Sequence, residues 1–247
     1  LATMGQSSCV SSCLCFGLPC GGRSARSGNV IKAAKVAPAH RSWIGRRNVL
    51  CFGDSLTEGL CFGDDLNCRS IQYSPYSTRL TQRLQASCDL VGGVMPNVEN
   101  AGISGQTTDE MLPRLPKHLY GGELYGKQDV VLILGGTNDM ACSSAQEIVE
   151  NLLKLHRKAH RLGCITVAMT VPQIRGHFSA KMNAVNSELS EFVLQNLDRS
   201  VLVDVAALLP QNEAHASLWD VDGVHFTKQG YAALADALAD IELPSGG

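Results

Sequence analysis

The sequence predicts an α/β protein that folds as a three-layer α/β/α sandwich around a parallel sheet. Apolar segments and longer helical segments alternate along the chain in a β-α order repeated five times. The apolar segments are nearly continuous rather than alternating, which is typical of strands buried on both faces. Hydrophobic residues make up 45% and charged residues 18% of the 247 residues, enough apolar content for a sizeable core. Right-handed crossovers then place helices on both sides of the sheet.

Five segments are predicted to be the strands of this sheet. Residues 129–134 are the strongest, because they are rich in β-branched residues, carry no charge after Asp129 and end at two glycines. The second strand has two candidate positions, at 88–91 or at 98–103. The remaining predicted strands lie at 48–52, 164–171 and 200–205.

Helical periodicity is clearest over residues 144–162, where one stripe carries Ile148, Leu152, Leu155 and Ala159. Thr227 is the predicted N-cap of the closing helix. The alternation also requires a helix between the second and third strands, for which no bounds are assigned. The other predicted helices lie at 76–86, 180–197 and 231–243.

The chain is predicted to divide into a leader, residues 1–47, and one domain, residues 48–247. The leader has no acidic residue and no apolar periodicity. Its Arg and Ser content is typical of an organellar transit peptide. Alternatively, Met4 is the true start and Gly5 a myristoylation site, although Cys9 replaces the usual Ser or Thr, with palmitate on nearby cysteines completing a membrane anchor. A third interpretation is an unstructured or wrongly translated segment.

The charge distribution argues against a nucleic-acid partner. Residues 1–53 hold seven of the 21 basic residues and none of the 23 acidic ones, so the rest of the chain has 14 basic residues and a net charge of −9. Binding to phosphates needs clustered Lys and Arg instead. No apolar run approaches about 18 residues, so no transmembrane helix is predicted.

Cysteine placement predicts a reduced, intracellular domain. Three cysteines fall at or beside strand-like segments, where a reduced Cys packs as a small hydrophobe: Cys51, Cys88 and Cys164. Four more crowd the leader without a partnering His pair, so a zinc site there is a minor alternative: Cys9, Cys13, Cys15 and Cys20.

Residues able to do chemistry follow the predicted strands, where a parallel sheet places its functional site. Ser55 follows the first strand, and Gly53 leaves little bulk around its hydroxyl. A serine hydroxyl needs a base to take its proton. His225, just before the last helix, can be that base, and Asp222 can accept the Nδ1 hydrogen of its ring. These three residues are the predicted catalytic triad for acyl transfer.

Acyl transfer also needs hydrogen-bond donors for the oxyanion. The glycines of loop 100–108 let a backbone N–H approach a ligand, and Asn138 offers a neutral side-chain amide. Each motif alone has a plainer interpretation: residues 53–56 as an ordinary turn, Asn138-Asp139 as a helix cap, or His225 as a surface residue. Their conjunction, each after a different predicted strand or before the last helix, favours a catalytic site.

These motifs resemble, in order, the four blocks of the SGNH (GDSL) hydrolase superfamily. The blocks are Gly53-Asp54-Ser55-Leu56, Gly102-x-Ser104-Gly105, Gly136-x-Asn138-Asp139 and Asp222-x-x-His225. The resemblance covers essentially all of residues 49–238 and implies a flavodoxin-like sheet of five parallel strands, with no metal and no organic cofactor. It implies Ser55 as nucleophile, completed by His225 and Asp222. The implied oxyanion donors are the N–H groups of Ser55 and Gly105 and the side chain of Asn138, with Gly102 as second choice.

Within the superfamily, residues 100–115 are similar to arylesterases and to the thioesterase and lysophospholipase branch. Phe226 departs from the Pro that many members have after the His, which should alter the turn into the last helix rather than the chemistry. Residues 60–65 echo residues 50–55, with Asp65 at the position of the nucleophile, and segment 60–74 is predicted to be a surface loop near the site.

The predicted function is therefore hydrolysis of a small-molecule carboxylic ester, thioester or lysophospholipid through an acyl-Ser55 intermediate. Activity should rise with pH as His225 loses its proton. Two alternatives on the same fold are a carbohydrate O-deacetylase and an acyltransferase. A third is a catalytically silent binding protein, against which the lack of a Gly-x-Gly-x-x-Gly motif after a strand argues. Acyl length and oligomeric state are left open by the sequence.

Overall fold

The structure is a computed structural model and describes residues 36–63, 70–120, 127–174 and 178–245. Its strands are β1 (Asn48–Gly53), β2 (Leu60–Phe62), β3 (Ile71–Tyr73), β4 (Asn97–Gly102), β5 (Val130–Leu134), β6 (Ile165–Met169) and β7 (Ser200–Val203). Five of them form a parallel sheet in the order β4-β1-β5-β6-β7, and β2 and β3 form a separate antiparallel pair. Together with helices on both faces, this sheet confirms the predicted α/β/α sandwich.

The helices follow the strands as the alternation predicted. They are α1 (Ser55–Glu58), α2 (Tyr76–Val91), α3 (Thr108–Leu119), α4 (Ala145–Arg161), α5 (Ser179–Leu194), α6 (Val205–Leu208) and α7 (Lys228–Asp240). Thr227 caps α7 as predicted, by accepting a hydrogen bond from the N–H of Gly230. The helix therefore begins three residues earlier than the sequence predicted.

Each face of the sheet supports its own core. In β1, Val49 and Cys51 point to the side covered by α2 and α7, whereas Leu50 and Phe52 point to the side covered by α3 and α4. All four side chains are fully buried. Burial on both faces explains why β5 consists of five consecutive apolar residues.

The structure settles one open alternative and corrects one local prediction. Residues 88–91 are the last turn of α2, so the second strand of the sheet is at the alternative position. Segment 60–74 is not simply a surface loop, because β2 and β3 pair within it, with Phe62 opposite Ile71 and Leu60 opposite Tyr73. Three-residue strands are too short to show a period-two pattern, which is why the sequence did not reveal them.

Helix α3 supplies the element to which the sequence assigned no bounds. It contains Pro113 and Pro116, which lower helix propensity and obscure the pattern. Its N-terminus carries a capping box in which Thr107 and Glu110 bond to each other's backbone N–H groups. That box is a sequence signal that could have located the helix.

The predicted leader is described only from residue 36 onward. Its described part lies against the domain: the N–H of His40 donates to the carbonyl of Ala239 at 2.7 Å, and Trp43 is 2% exposed. Residues 1–35 lie outside the described residues, and with them the predicted acylation and zinc positions. Over the ranges described, no helix is both long and apolar enough to span a membrane.

The three cysteines assigned to the core occupy it. Cys51, Cys88 and Cys164 are buried and form no disulfide. Burial raises the pKa of the Cys51 thiol to about 12, although a hydrogen bond with Tyr76 opposes this effect. Such a thiol packs as an inert apolar group.

Candidate active site

The four motifs meet at the carboxyl edge of the central sheet. Strands β4, β1 and β5 are neighbours, and the register aligns Gly53 at the end of β1 with Gly102 on one side and Leu134 on the other. Ser55 opens α1 directly after β1. Asp54 caps this helix, because its carboxylate accepts the N–H of Leu56 at 2.9 Å.

Close backbone packing requires the first glycine of two blocks. A Cβ on Gly53 would lie 2.1 Å from the carbonyl oxygen of Leu134 and 2.3 Å from the hydroxyl of Thr57. A Cβ on Gly102 would lie 2.1 Å from the backbone nitrogen of Glu58. These glycines let α1 sit directly on the strand ends and so fix the position of Ser55.

Ser55, His225 and Asp222, separated by up to 170 residues in the chain, lie in one hydrogen-bonded row. Nε2 of His225 is 2.9 Å from Oγ of Ser55, and Nδ1 is 2.6 Å from Oδ2 of Asp222. Ser55 is 5% exposed, and the His225 side chain is 16% exposed. The row gives the serine proton a route to an imidazole whose other nitrogen faces a carboxylate.

The carboxylate of Asp222 is held in its ionised form. Burial by itself would raise the pKa of Asp222, but hydrogen bonds from the His225 ring and from the N–H groups of His225 and Val224 lower it overall. The two N–H groups donate to Oδ1 at 3.0 and 2.9 Å, which leaves Oδ2 for the ring. An ionised Asp222 fixes the Nδ1–H tautomer of His225.

Asp220 ties the histidine turn to the β2–β3 hairpin. Its N–H donates to the carbonyl of His225 at 2.8 Å, and its Oδ2 accepts the N–H of Phe62 at 2.8 Å. The Phe62 ring meets the His225 ring edge to face, with centroids 6.2 Å apart. Sequence reasoning did not identify either Asp220 or Phe62, because no motif connects them.

Phe226 replaces the Pro of many superfamily members with a buried aromatic. It is fully buried, and its ring packs against those of Trp219 at 4.7 Å and Tyr231 at 5.4 Å. This aromatic cluster anchors the turn that enters α7 and leaves His225 free to face Ser55.

The loop after β4 presents the N–H of Gly105. Residues Ile103 to Gln106 form a tight turn closed by a 3.3 Å hydrogen bond, and Gly105 has φ +81°, a conformation that favours glycine. The N–H of Gly105 donates no hydrogen bond within the described part of the chain. By contrast, the N–H of Gly102 already donates to Oδ1 of Asn100 at 2.9 Å. The geometry therefore favours Gly105 over Gly102 as a donor.

Asn138 is oriented by the same loop. Its Nδ2 donates to the carbonyl oxygen of Gln106 at 2.9 Å. A side-chain amide carries two N–H groups, so one remains for a ligand. Ser104 adds a second tie, because both its N–H and its hydroxyl donate to the carboxylate of Glu58 on α1.

Two buried carboxyl groups lie behind these motifs, and the sequence analysis assigned neither a catalytic role. Burial raises the pKa of Asp54 to about 7, an effect that the Leu56 N–H opposes and the charge of Asp139 reinforces. Burial also raises the pKa of Asp139, although the N–H and hydroxyl of Thr108 donate to it. Asp139 thereby joins the third block to the start of α3.

Potential metal ligands do not cluster in the described ranges, where no three His, Cys, Asp or Glu side chains converge. The reactive groups that converge are instead a serine, an imidazole, a carboxylate and neutral N–H donors.

A family model decides the classification of this site. The model of the GDSL-like Lipase/Acylhydrolase family matches residues 51–233. The chain belongs to this family. The match spans all four blocks, which confirms the resemblance to the SGNH (GDSL) superfamily, and family membership indicates hydrolase activity.

Solved structures show the same fold at low sequence identity. The lipase/acylhydrolase from Enterococcus faecalis is 22% identical, with a TM-score of 0.61 over 78% of this chain and 93% of that one. The aryl esterase of M. smegmatis is 20% identical, with a TM-score of 0.60 over 78% and 96%. A carbohydrate acetylesterase from Sinorhizobium meliloti is 20% identical, with a TM-score of 0.58 over 78% and 97%. No curated protein matches the sequence significantly.

Proposed function

We propose that this chain hydrolyses carboxylic esters through an acyl intermediate on Ser55. The observation that carries the proposal is the row in which His225 stands 2.9 Å from the Ser55 hydroxyl and 2.6 Å from Asp222. Nucleophile, base and orienting group are within hydrogen-bond reach, as two-step acyl transfer requires. Family membership and the structural similarity to esterases support it.

In the first step, Oγ of Ser55 attacks the ester carbonyl while Nε2 of His225 takes the hydroxyl proton. The C–O bond then breaks, and His225 gives that proton to the departing alcohol. In the second step, His225 takes a proton from water, hydroxide adds to the acyl carbon, and the acid leaves as Ser55 recovers its proton. Asp222 stays ionised throughout and stabilises the imidazolium.

The oxyanion of each tetrahedral intermediate would be held by three neutral donors. These are the N–H groups of Ser55 and Gly105 and the free N–H of the Asn138 side chain. Losing one such donor typically costs about 3–4 kcal/mol in the transition state. The hydrogen bond from Asn138 to the carbonyl of Gln106 supports this assignment, because it orients the amide before substrate arrives.

Replacing the nucleophile tests the proposal. With p-nitrophenyl acetate, S55A should lose essentially all hydrolysis, and a fluorophosphonate probe should label the wild-type protein but not S55A. S190A, which removes a serine hydroxyl on α5, is the matched control and should keep full activity. Hydrolysis by S55A at the wild-type rate would make the assignment wrong. Absence of probe labelling in wild type would instead favour a silent binding protein.

The hairpin beside His225 favours an apolar ester over an acetylated sugar. Cross-strand pairing puts four apolar side chains on one face of the hairpin: Leu60, Phe62, Ile71 and Tyr73. Ile71 and Tyr73 are 60% and 56% exposed, and Phe62 contacts His225. Because His225 must reach the leaving oxygen, this face lies on the leaving-group side of the site. We therefore propose that the enzyme prefers esters of apolar alcohols or phenols.

A double variant separates this proposal from the carbohydrate O-deacetylase alternative, which the Sinorhizobium meliloti structure keeps in view. In I71S/Y73S, kcat/KM should fall several-fold for phenyl acetate and change little for methyl acetate, since burying an apolar group is worth about 1–3 kcal/mol. L197S, at an exposed position distant in sequence, is the control. Faster turnover of acetylated sugars than of phenyl acetate by wild type would favour the deacetylase. Transfer of the acetyl group to an added alcohol, detected by mass spectrometry, would favour an acyltransferase.

A role for the leader remains part of the proposal. Residues 1–47 would direct the enzyme to an organelle or, if acylated at Gly5, to a membrane. Fusing residues 1–47 to a fluorescent protein tests organelle targeting. Fusing residues 4–47, so that Gly5 becomes N-terminal once Met4 is removed, tests acylation, and G5A should abolish only that acylation-dependent location.

A further inference from the structure

Arg114, on α3, contacts three separate parts of the site. Its Nη2 donates to the carbonyl of Gly53 at 3.0 Å and its Nη1 to the carbonyl of Ala101 at 2.6 Å. Its Nε donates to the side-chain oxygen of Gln106 at 3.0 Å. The guanidinium therefore bridges the end of β1, the end of β4 and the loop that follows β4.

The partners of Arg114 are all neutral. No carboxylate in the described ranges lies within ion-pair distance of it, and its Cζ sits 4.2 Å from the centroid of the Phe52 ring. Partial burial lowers the pKa of the guanidinium, but an arginine stays protonated in a protein. A charged side chain placed without a counter-ion on backbone carbonyls holds those carbonyls in position.

Two of the three partners lie close in sequence to a proposed oxyanion donor. Gly53 precedes the Asp54-Ser55 pair, whose second N–H is a donor. Gln106 directly follows Gly105, and its own carbonyl oxygen accepts the amide of Asn138 at 2.9 Å. The carbonyl of Gly53 also accepts the N–H of Ile103 at 3.1 Å, so the same oxygen joins the nucleophile turn to the oxyanion loop.

We infer that Arg114 is a positioning residue that fixes the three oxyanion donors relative to one another. It acts through Gly53, Ala101 and Gln106, and it touches neither Ser55 nor His225. The inference rests on the proposed function, because it concerns the donors that would bind the oxyanion in that reaction. The planar shape of the guanidinium group matters as well as its charge, because one group has to reach two backbone carbonyl oxygens and one side-chain amide oxygen at once.

Arginine variants test this role by separating kcat from KM. R114M keeps an aliphatic side chain and removes the guanidinium group. With p-nitrophenyl acetate, its kcat should fall about tenfold to a hundredfold, while KM changes less than about threefold. The reason is that the oxyanion donors act only in the transition state, so displacing them by a fraction of an ångström affects kcat rather than KM. R114K keeps the charge without the planar guanidinium group, and its kcat should stay close to that of R114M. Recovery of wild-type kcat in R114K would overturn the positioning role.

Arg83 provides the matched control. Arg83 also has a bridging guanidinium and is more deeply buried, but it lies on α2 and contacts Asp236, Asp240 and the carbonyl of Pro38. R83M should lower stability and leave kcat unchanged. If R114M and R83M lose kcat to the same extent, the effect of Arg114 is on the fold and the inference is wrong.

A milder variant covers the case in which R114M does not fold. Q106L removes only the acceptor of the Arg114 Nε bond, and it should lower kcat several-fold with unchanged chemical denaturation. An unchanged kcat in Q106L would count against the inference. Inactive wild type, or active S55A, would instead overturn the proposed function, so the two failures are distinguishable.

Discussion

Arg83 and Arg114 both bridge separate elements, but their guanidinium groups bond to different kinds of acceptor. The Arg83 guanidinium is bonded to two carboxylates of α7, at 2.8 Å to Asp236 and 2.5 Å to Asp240, and so ties one helix to another. The Arg114 guanidinium is bonded to carbonyl oxygens and an amide oxygen at the sheet edge. The arginine that is paired with carboxylates holds two helices together. The arginine that is bonded to neutral oxygen atoms is proposed to position the backbone around the reacting groups.

The carboxylates of the two regions show the same contrast. Burial would raise the pKa of Asp236, yet hydrogen bonds from Arg79 and Arg83 lower it overall. At the sheet edge, burial raises the pKa of Asp54 to about 7, and its Oδ2 has no hydrogen-bond partner among the described residues. The α2–α7 layer thus pairs its carboxylates with arginines, while the sheet edge keeps, beside Ser55, a buried carboxyl that forms no ion pair in the described ranges.

The largest effect is expected from removing the charge of Asp222 at the sheet edge. D222N should lower kcat about 10³- to 10⁴-fold, because the amide cannot hold the Nδ1–H tautomer of His225 or stabilise its cation. The free energy of unfolding in urea should change little. D198N, an exposed aspartate paired with Arg199, is the control and should keep full activity. A D222N enzyme within tenfold of wild type would remove Asp222 from the triad.

The opposite region should respond in stability alone. R83M should lower the free energy of unfolding by about 2 kcal/mol, because it removes charge-assisted hydrogen bonds from a buried position. Its kcat should equal that of wild type. Urea denaturation and steady-state kinetics on the same preparation check both values, and a loss of kcat without loss of stability would break the comparison.

The third effect concerns the pH dependence of stability. Between about pH 4 and pH 7 the folded protein keeps a proton on Asp54 that the unfolded chain releases, so the contribution of Asp54 to stability should fall as pH rises through this window. D54N cannot titrate there, and its slope should be less negative by up to about 1.4 kcal/mol per pH unit. Urea denaturation at pH 5, 6, 7 and 8 measures this difference. Equal slopes in the two proteins would mean that Asp54 is ionised throughout.

The sequence by itself determined the sandwich and the order of its motifs. Runs such as residues 130–134 are apolar because both faces of their strand are buried, and that information is local. The triad was proposed on the same basis, since Ser55 and His225 follow or precede recognisable elements. The sequence did not reveal the β2–β3 hairpin, because its strands are only three residues long. It did not give the bounds of α3, because that helix contains two prolines.

Only the tertiary structure favours Gly105 over Gly102 as the proposed donor, because the hydrogen bond that occupies the N–H of Gly102 depends on the path of the loop. It also decided the roles proposed for Phe62 and Arg114. The contact between Arg114 and Gly53 joins residues 61 positions apart, and no motif connects Arg114 to the first block. The motifs in the sequence indicate which groups can react. The side chains that position those groups depend on packing across the sheet edge, and no single segment of the sequence encodes that packing.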